Sequence, residues 1–81
     1  MKDLNKLETC VQLYDYYGPL LTKKQDACFT MYYMEDLSLS EIGEELKITP
    51  QAVSDQLKRT VATLQKYEEK LGFIASLTNE N

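Results

Sequence analysis

A stretch near the middle of the chain constrains its fold most, because two helix-start signals stand only eleven residues apart. Ser38 with Glu41 three positions later matches a capping box, in which each side chain bonds the other residue's backbone N–H. Thr49 followed by Pro50 is typical of a second helix start, since proline at the first helical position sacrifices no hydrogen bond. Apolar residues at helical spacing follow both signals, so residues 38–60 are predicted to form a helix-turn-helix.

Helical periodicity continues through nearly all of the remaining chain, which predicts an all-α fold of four to five helices. A first helix is expected between an Asp3 cap and the pair Gly18 and Pro19, because proline cannot continue a helix. Thr22 and Gln25 match another capping box, and the helix that they start is expected to be nearly buried at the centre of the core. Its apolar face is formed by Ala27, Cys28, Met31, Tyr32 and Met34.

A long C-terminal helix is predicted from Pro50 to Leu71, with Gly72 as its stop. At 1.5 Å per residue this helix would measure about 33 Å, which is too long for one small core to cover. Its second half, with apolar residues such as Leu64, is therefore expected to need another partner or to be solvated. Residues 61–77 are thus a helix extension and a candidate dimerisation segment.

Gly43 lies inside the short helix that precedes the predicted turn. Glycine in a helix interior is less favourable than alanine by about 1 kcal/mol. We expect a neighbouring helix to approach closely here, because only a residue without a Cβ leaves room for another backbone.

The composition argues against an enzyme and against a metal site. The chain has no His, the side chain on which acid–base chemistry near neutral pH most often depends. Its three glycines are widely spaced, which argues against a phosphate-cradling loop. Cys10 and Cys28 are too few to hold a metal and are predicted to be reduced, buried thiols, with a regulatory disulfide as the alternative. No catalytic residue, metal or cofactor is expected.

The length of 81 residues predicts a single helical domain over 1–81. No apolar run approaches the roughly 20 residues that a membrane-spanning helix needs, and the N-terminus lacks a signal-peptide pattern. We therefore expect no membrane partner and a cytoplasmic location.

The second helix of the predicted helix-turn-helix has an inner and an outer side. Val53 and Leu57 are expected to pack inward, which turns polar residues outward. A major groove accepts one α-helix, and Gln, Lys and Asp side chains pair there with adenine, guanine and cytosine respectively. A threonine cap and the N–H groups of a helix start suit a phosphate. The candidate DNA-binding residues are therefore Thr49, Gln51, Ser54, Asp55, Lys58 and Arg59.

Charge leaves this interpretation open. The whole chain has a formal charge of −4, which opposes binding to a polyanion. Residues 47–66, however, carry four basic side chains against one acid, a local charge of +3, whereas residues 38–46 carry three acids. The alternative is that the polar side of the second helix is simply the solvated side that every surface helix has.

Residues 21–60 resemble the region 4 type helix-turn-helix of bacterial sigma factors. More closely, the chain resembles the YlxM-like family of small bacterial proteins. Members of that family carry the patterns YYGPLLT-KQ, YY--D-SL-EI-EE---S-QAV-D--KR and YE-KL. In this sequence the patterns fall on residues 16–25, 32–59 and 67–71, so the resemblance covers most of residues 10–72.

The resemblance implies an all-helical, sigma-like helix-turn-helix of the winged-helix-like superfamily and a cytoplasmic regulator that binds DNA. It also implies a role in the signal recognition particle pathway, because the family's gene tends to lie beside that of the particle's protein. Family members commonly continue into more helix and carry a Ser-Arg pair where this chain has Thr49 and Pro50. The base contacts would fall on Gln51, Ser54, Asp55, Lys58 and Arg59.

Three functions stay open on the sequence. The first is transcription regulation through DNA contacts of the helix that starts at Pro50. The second is a protein-binding helical module, a homodimer or a partner of the targeting machinery, which the acidic balance and the long helix favour. The third is binding to the RNA of the targeting particle, which follows only from the gene neighbourhood.

Overall fold

The structure, a computed structural model, describes residues 4–78 and the side chains of 8–76. Over that range the chain forms five α-helices and no strand, which confirms the all-α prediction. The helices are α1 (Leu4–Tyr17), α2 (Lys23–Phe29), α3 (Leu39–Leu46), α4 (Pro50–Leu71) and α5 (Phe73–Thr78). A 3₁₀ turn follows α1 at Gly18–Leu20, and a π-helical segment follows α2 at Thr30–Met34. Asp3, the predicted first cap, lies outside the described residues.

The helix starts of α2 and α3 follow the predicted capping boxes. The N–H of Gln25 donates to Oγ1 of Thr22 at 3.2 Å, and the N–H of Thr22 donates to Oε1 of Gln25 at 3.1 Å. Ser38 and Glu41 make the same reciprocal pair at 3.1 and 2.9 Å. Because each box satisfies two backbone donors that the helix itself cannot, both predictions of helix starts are confirmed.

The described helices form two compact units. One unit contains α1, the part of α4 that begins at Val61, and α5. The other unit contains residues 21–60, and so α2, α3 and the first part of α4. The predicted helix-turn-helix therefore lies within the second of these units.

Four buried residues form the core of the unit 21–60. They are Cys28, Ile42, Val53 and Leu57, one from α2, one from α3 and two from α4. Partly buried apolar side chains surround them: Met31, Tyr32, Tyr33, Leu37, Leu39, Leu46 and Ile48. The inner sides of α3 and of the first part of α4 are thus buried in one core.

The prediction that the second helix is nearly buried is wrong. Only Cys28 and Phe29 are buried along α2 and its π-helical extension, and Met34 is 45% exposed. The π-helical extension Thr30–Met34 changes the spacing of the side chains that follow α2. A wider turn rotates successive side chains by a smaller angle, so residues spaced for an α-helix no longer share one face.

The second half of α4 is more deeply buried than the sequence analysis predicted. Leu64 is fully buried, so the expectation that it lacks support within the chain is wrong. Leu64 belongs to the compact unit that also contains α1 and α5. Leu71, by contrast, is 48% exposed.

Both cysteines are buried thiols and form no disulfide, as predicted. The thiol of Cys28 lies 3.9 Å from the Val53 carbonyl oxygen. Burial raises the pKa of Cys28, and the charge of Lys24 only partly opposes that effect. Because the thiolate is the reactive form, burial and a raised pKa both disfavour reaction of Cys28 near neutral pH.

Candidate nucleic-acid interface

The turn between α3 and α4 is held by backbone hydrogen bonds to α3. Lys47 adopts the left-handed conformation, with φ 61° and ψ 43°, and its N–H donates to the Gly43 carbonyl. The N–H of Ile48 donates to the same carbonyl at 2.9 Å. Oγ1 of Thr49 then accepts the N–H of Ala52 at 3.1 Å, which is the predicted cap of α4. The direction in which α4 leaves the turn is set by these bonds.

The turn requires a glycine at position 43. A Cβ at Gly43 would lie 2.6 Å from the carbonyl oxygen of Ile48 and 3.4 Å from the nitrogen of Pro50. A close backbone approach is therefore present, as predicted, but the neighbour is the turn itself and not another helix. The reason is that the turn folds back over the last residues of α3, where it makes its hydrogen bonds.

The first part of α4 has the two sides that the sequence predicted. Val53 and Leu57 are buried in the core. Gln51, Asp55 and Lys58 are exposed, and α4 is a single α-helix through all of these positions. Because residues three and four apart are neighbours on a helix, the three polar side chains follow one another along one side of α4.

The other three candidates differ in accessibility. Thr49 and Arg59 are exposed, whereas Ser54 is partly buried. Ser54 thus stands at the edge of the exposed side, and it is the least accessible of the six predicted residues.

An ion pair crosses the exposed side of α4. Nε of Arg59 lies 3.1 Å from Oδ2 of Asp55, with the two side chains 73% and 59% exposed. The sequence interpretation treated the two residues separately and missed this pair. The spacing of four residues between an acid and an arginine was the signal that would have predicted it.

The exposed charged side chains of the turn and the first part of α4 are mostly basic, with Asp55 as an exposed acid among them, whereas those on α3 are acidic. Lys47, Lys58 and Arg59 are exposed at the turn and on α4. Three exposed acids lie on α3: Glu41, Glu44 and Glu45. The side of α4 thus offers donors and acceptors suited to base edges, together with cations suited to phosphates. In the part of the chain that the structure describes, no three metal-binding side chains cluster, and no helix has the length and apolar character of a membrane span.

Comparison with known proteins identifies the family. The chain matches, over residues 4–81, the model of a family described as "Putative helix-turn-helix protein, YlxM / p13 like". It is 48% identical over 81 residues to a UPF0122 protein of Desulforamulus reducens, across 100% of this chain and 67% of that protein. A UPF0122 protein of Listeria welshimeri is 52% identical over 62 residues, across 76% of this chain and 56% of the relative.

A third relative extends the same result. A UPF0122 protein of Symbiobacterium thermophilum is 44% identical over 75 residues, across 93% of this chain and 67% of its own length. The chain therefore spans 56 to 67% of the length of these three relatives. The family match includes α3, the turn and α4, which the structure describes as the two helices and turn of the motif. The chain belongs to the family of YlxM- and p13-like helix-turn-helix proteins.

Proposed function

We propose that this protein is a DNA-binding regulator that inserts the exposed side of α4 into a major groove. One observation carries the proposal: α4 buries Val53 and Leu57 and exposes Gln51, Asp55 and Lys58 on its other side. A helix that enters a groove needs this division, because one side must be held by the protein while the other meets base edges. We assign the protein no catalytic role, and as a regulator of transcription it would act in the cytoplasm.

Each candidate residue has a chemical role in this proposal. Gln51 suits adenine, whose N6 and N7 atoms match the donor and acceptor of one amide group, and Lys58 donates to guanine. Asp55 accepts a hydrogen bond from cytosine or adenine amino groups. Thr49 and the first N–H groups of α4 lie where a phosphate oxygen is favourable, and Ser54 and Arg59 border the groove.

The charge distribution sets the expected strength of binding. Lys47, Lys58 and Arg59 supply the positive charge of the turn and of the first part of α4, whereas α3 exposes acidic side chains. Few phosphates can be neutralised by so few cations, so affinity for random DNA should be weak and its salt dependence shallow. Specific contacts with bases must then provide most of the discrimination.

The proposal is tested with the double variant Lys58→Ala/Arg59→Ala and a DNA site selected from a random pool. Binding should be lost, and the dependence of log affinity on log salt should become shallower by about one to two units. Lys23→Ala/Lys24→Ala is the matched control, because it removes the same charge from exposed positions of α2. Unchanged binding in the α4 variant, or equal loss in the control, would refute the proposal.

A second candidate function is protein binding through the C-terminal end of α4. Leu71 at the end of α4 is 48% exposed and Phe73 at the start of α5 is 52% exposed, so two large apolar side chains that lie two residues apart are accessible to a partner. We take a second copy of the chain as the partner, and sedimentation at increasing concentration tests it. A homodimer should form and should be weakened by Leu71→Ala, whereas a monomer at every concentration would reject this candidate.

A place in the signal recognition particle pathway is the most specific part of the proposal, and the family resemblance alone motivates it. Purification of the tagged chain from bacterial lysate should then recover the particle's protein or its RNA. A second measurement uses pooled RNA as a competitor for binding of the chain to the selected DNA. Competition by the RNA would distinguish a role in the particle from a function in DNA binding alone. Recovery of neither component would remove the pathway from the proposal and leave DNA binding untouched.

A further inference from the structure

The ion pair between Asp55 and Arg59 lies on the same side of α4 that the proposed function turns toward the groove. Nε of Arg59 is 3.1 Å from Oδ2 of Asp55, and both side chains are more than half exposed. An exposed pair at this spacing contributes little to folding stability. Its effect on an approaching polyanion is larger, because it changes both the number of available cations and the local charge.

We propose that Asp55 limits non-specific nucleic-acid binding by holding Arg59, and that only a base with an amino group in the major groove releases this restraint. The inference rests on the proposed function and adds to it a residue that determines specificity. Cytosine N4 and adenine N6 are the amino groups that a major groove presents. Asp55 would thus favour cytosine or adenine over guanine or thymine at the base position that it faces.

The physical argument starts from the source of non-specific affinity. That affinity depends on how many cations neutralise phosphates. While Arg59 donates to Asp55, the guanidinium is directed along the helix toward a carboxylate, and the carboxylate itself repels phosphates. Both effects lower the affinity for DNA that offers Asp55 no hydrogen-bond donor.

A DNA site that places a base amino group opposite Asp55 changes the partner of Arg59. A base amino group that donates to Asp55 replaces Arg59 as the partner of the carboxylate. Arg59 is then able to turn to a phosphate, where its planar group makes a stronger, two-pronged contact. At a guanine or thymine, Asp55 meets only acceptor atoms or a methyl group, so the repulsion remains and Arg59 stays on α4.

The test compares Asp55→Asn with Glu35→Gln, using a labelled duplex of random sequence. Asparagine keeps the shape of the side chain and removes its charge, while Glu35→Gln removes the same charge from an exposed position outside α3 and α4. Asp55→Asn should bind the random duplex about threefold or more tightly, with a salt dependence steeper by about one unit. Glu35→Gln should change the salt dependence less, because Glu35 lies on neither helix of the motif and is not part of the side of α4 proposed to meet the groove.

A double-variant comparison tests the role of Arg59. Arg59→Ala should weaken binding of the random duplex more in the Asp55→Asn background than in the natural chain, because Asp55 holds Arg59 only in the latter. The preference for a selected site over random DNA should also fall in Asp55→Asn by about threefold or more. Equal binding of random DNA by Asp55→Asn and Glu35→Gln would overturn the inference, as would an equal effect of Arg59→Ala in both backgrounds.

The two proposals fail in different ways. The proposed function fails when Lys58→Ala/Arg59→Ala binds a selected site as well as the natural chain does. The inference about Asp55 fails alone when that variant loses binding but Asp55→Asn gains no affinity for random DNA. Far-UV circular dichroism of each variant confirms that the helices are intact.

Discussion

The hydroxyl of Tyr17 donates to Oε1 of Glu68 at 2.5 Å and so joins the end of α1 to the last turn of α4. The same carboxylate accepts the N–H of Ile74 at 3.1 Å and that of Ala75 at 2.9 Å, while the N–H of Phe73 donates to the Tyr17 hydroxyl at 3.2 Å. Glu68 therefore accepts the second and third N–H groups of α5 as well as the Tyr17 hydroxyl, while that hydroxyl accepts the first N–H group of α5. The contact joins the stretch YYGPLLT at residues 16–22 of this sequence to the stretch YEEKL at residues 67–71.

Replacing Glu68 with Gln should destabilise this contact. The neutral amide has one acceptor oxygen where the carboxylate has two, so at least one of the α5 donors or the Tyr17 hydroxyl loses its partner. We expect Glu68→Gln to lower the Tm by about 5 °C. Thermal unfolding followed by circular dichroism measures the change. Glu69→Gln, at the exposed neighbouring position, is the control, and an equal Tm for the two variants would contradict this role of Glu68.

The same contact should make stability depend on pH at both extremes. The hydrogen bond from Tyr17 lowers the pKa of Glu68 below its ordinary value of 4.5, so the stability that Glu68 contributes is present above that value and is lost as pH falls through the folded-state pKa. Burial, followed by the bond to Glu68, raises the pKa of Tyr17 above 10.0. Its contribution is present below 10.0 and is lost as pH rises through the folded-state pKa.

Thermal unfolding across the pH range distinguishes the two groups. Glu68→Gln should flatten the acid side of the Tm profile, and Tyr17→Phe should flatten the alkaline side. An acid side that is equally steep in the natural chain and in Glu68→Gln would show that other carboxylates control the loss of stability.

Local signals in the sequence were sufficient to predict where the helices of the motif begin. The Ser38 and Glu41 capping box acts over three residues, and Thr49 with Pro50 acts over one turn, so no knowledge of distant contacts is required. The π-helical segment Thr30–Met34 was not predictable in this way. Its apolar spacing also fits an α-helix, and the packing of side chains around it decides between the two.

Long-range contacts explain what the sequence interpretation missed. Tyr17 and Glu68 are 51 residues apart, and no local pattern links a tyrosine to a carboxylate over that distance. The burial of Leu64 is similar, because it lies in a compact unit that combines part of α4 with residues 1–20 from the other end of the sequence. The exposed side of α4 was predictable because periodicity alone decides it. Periodicity does not describe the bases and phosphates that this side would meet, so DNA binding does not follow from it.

Gly43→Ala should destabilise the protein although alanine is the better helix former. The added Cβ would lie 2.6 Å from the Ile48 carbonyl oxygen, and backbone at a tight turn cannot move away cheaply. We expect the free energy of unfolding to fall by about 1–3 kcal/mol, against a gain of about 1 kcal/mol at an unhindered site. Urea unfolding measures it. Ser40→Ala, at an exposed position of α3, is the control, and a stabilised Gly43→Ala would contradict the tight approach.

Two substitutions of Lys47 should separate stability from nucleic-acid binding. Lys47 has a φ of 61°, a conformation that glycine adopts without the cost of about 1 kcal/mol that other residues incur. Lys47→Gly should therefore be more stable than Lys47→Ala by up to about 1 kcal/mol in urea unfolding. Both variants remove the same charge, so both should weaken DNA binding equally in a titration. Equal stability of the two variants would show that the left-handed conformation is not strained.

Leu64 and Leu71 lie seven residues apart on α4, and the same substitution should affect them very differently. Leu64 is fully buried, so Leu64→Ala removes packed methyl groups and leaves a cavity, which typically costs about 2–5 kcal/mol. Leu71 is 48% exposed, so Leu71→Ala should cost less than about 1 kcal/mol. Urea unfolding at low protein concentration measures both variants as single chains. A cost at Leu71 equal to that at Leu64 would mean that a partner covers Leu71 under these conditions, and sedimentation of the same samples would then reveal the complex.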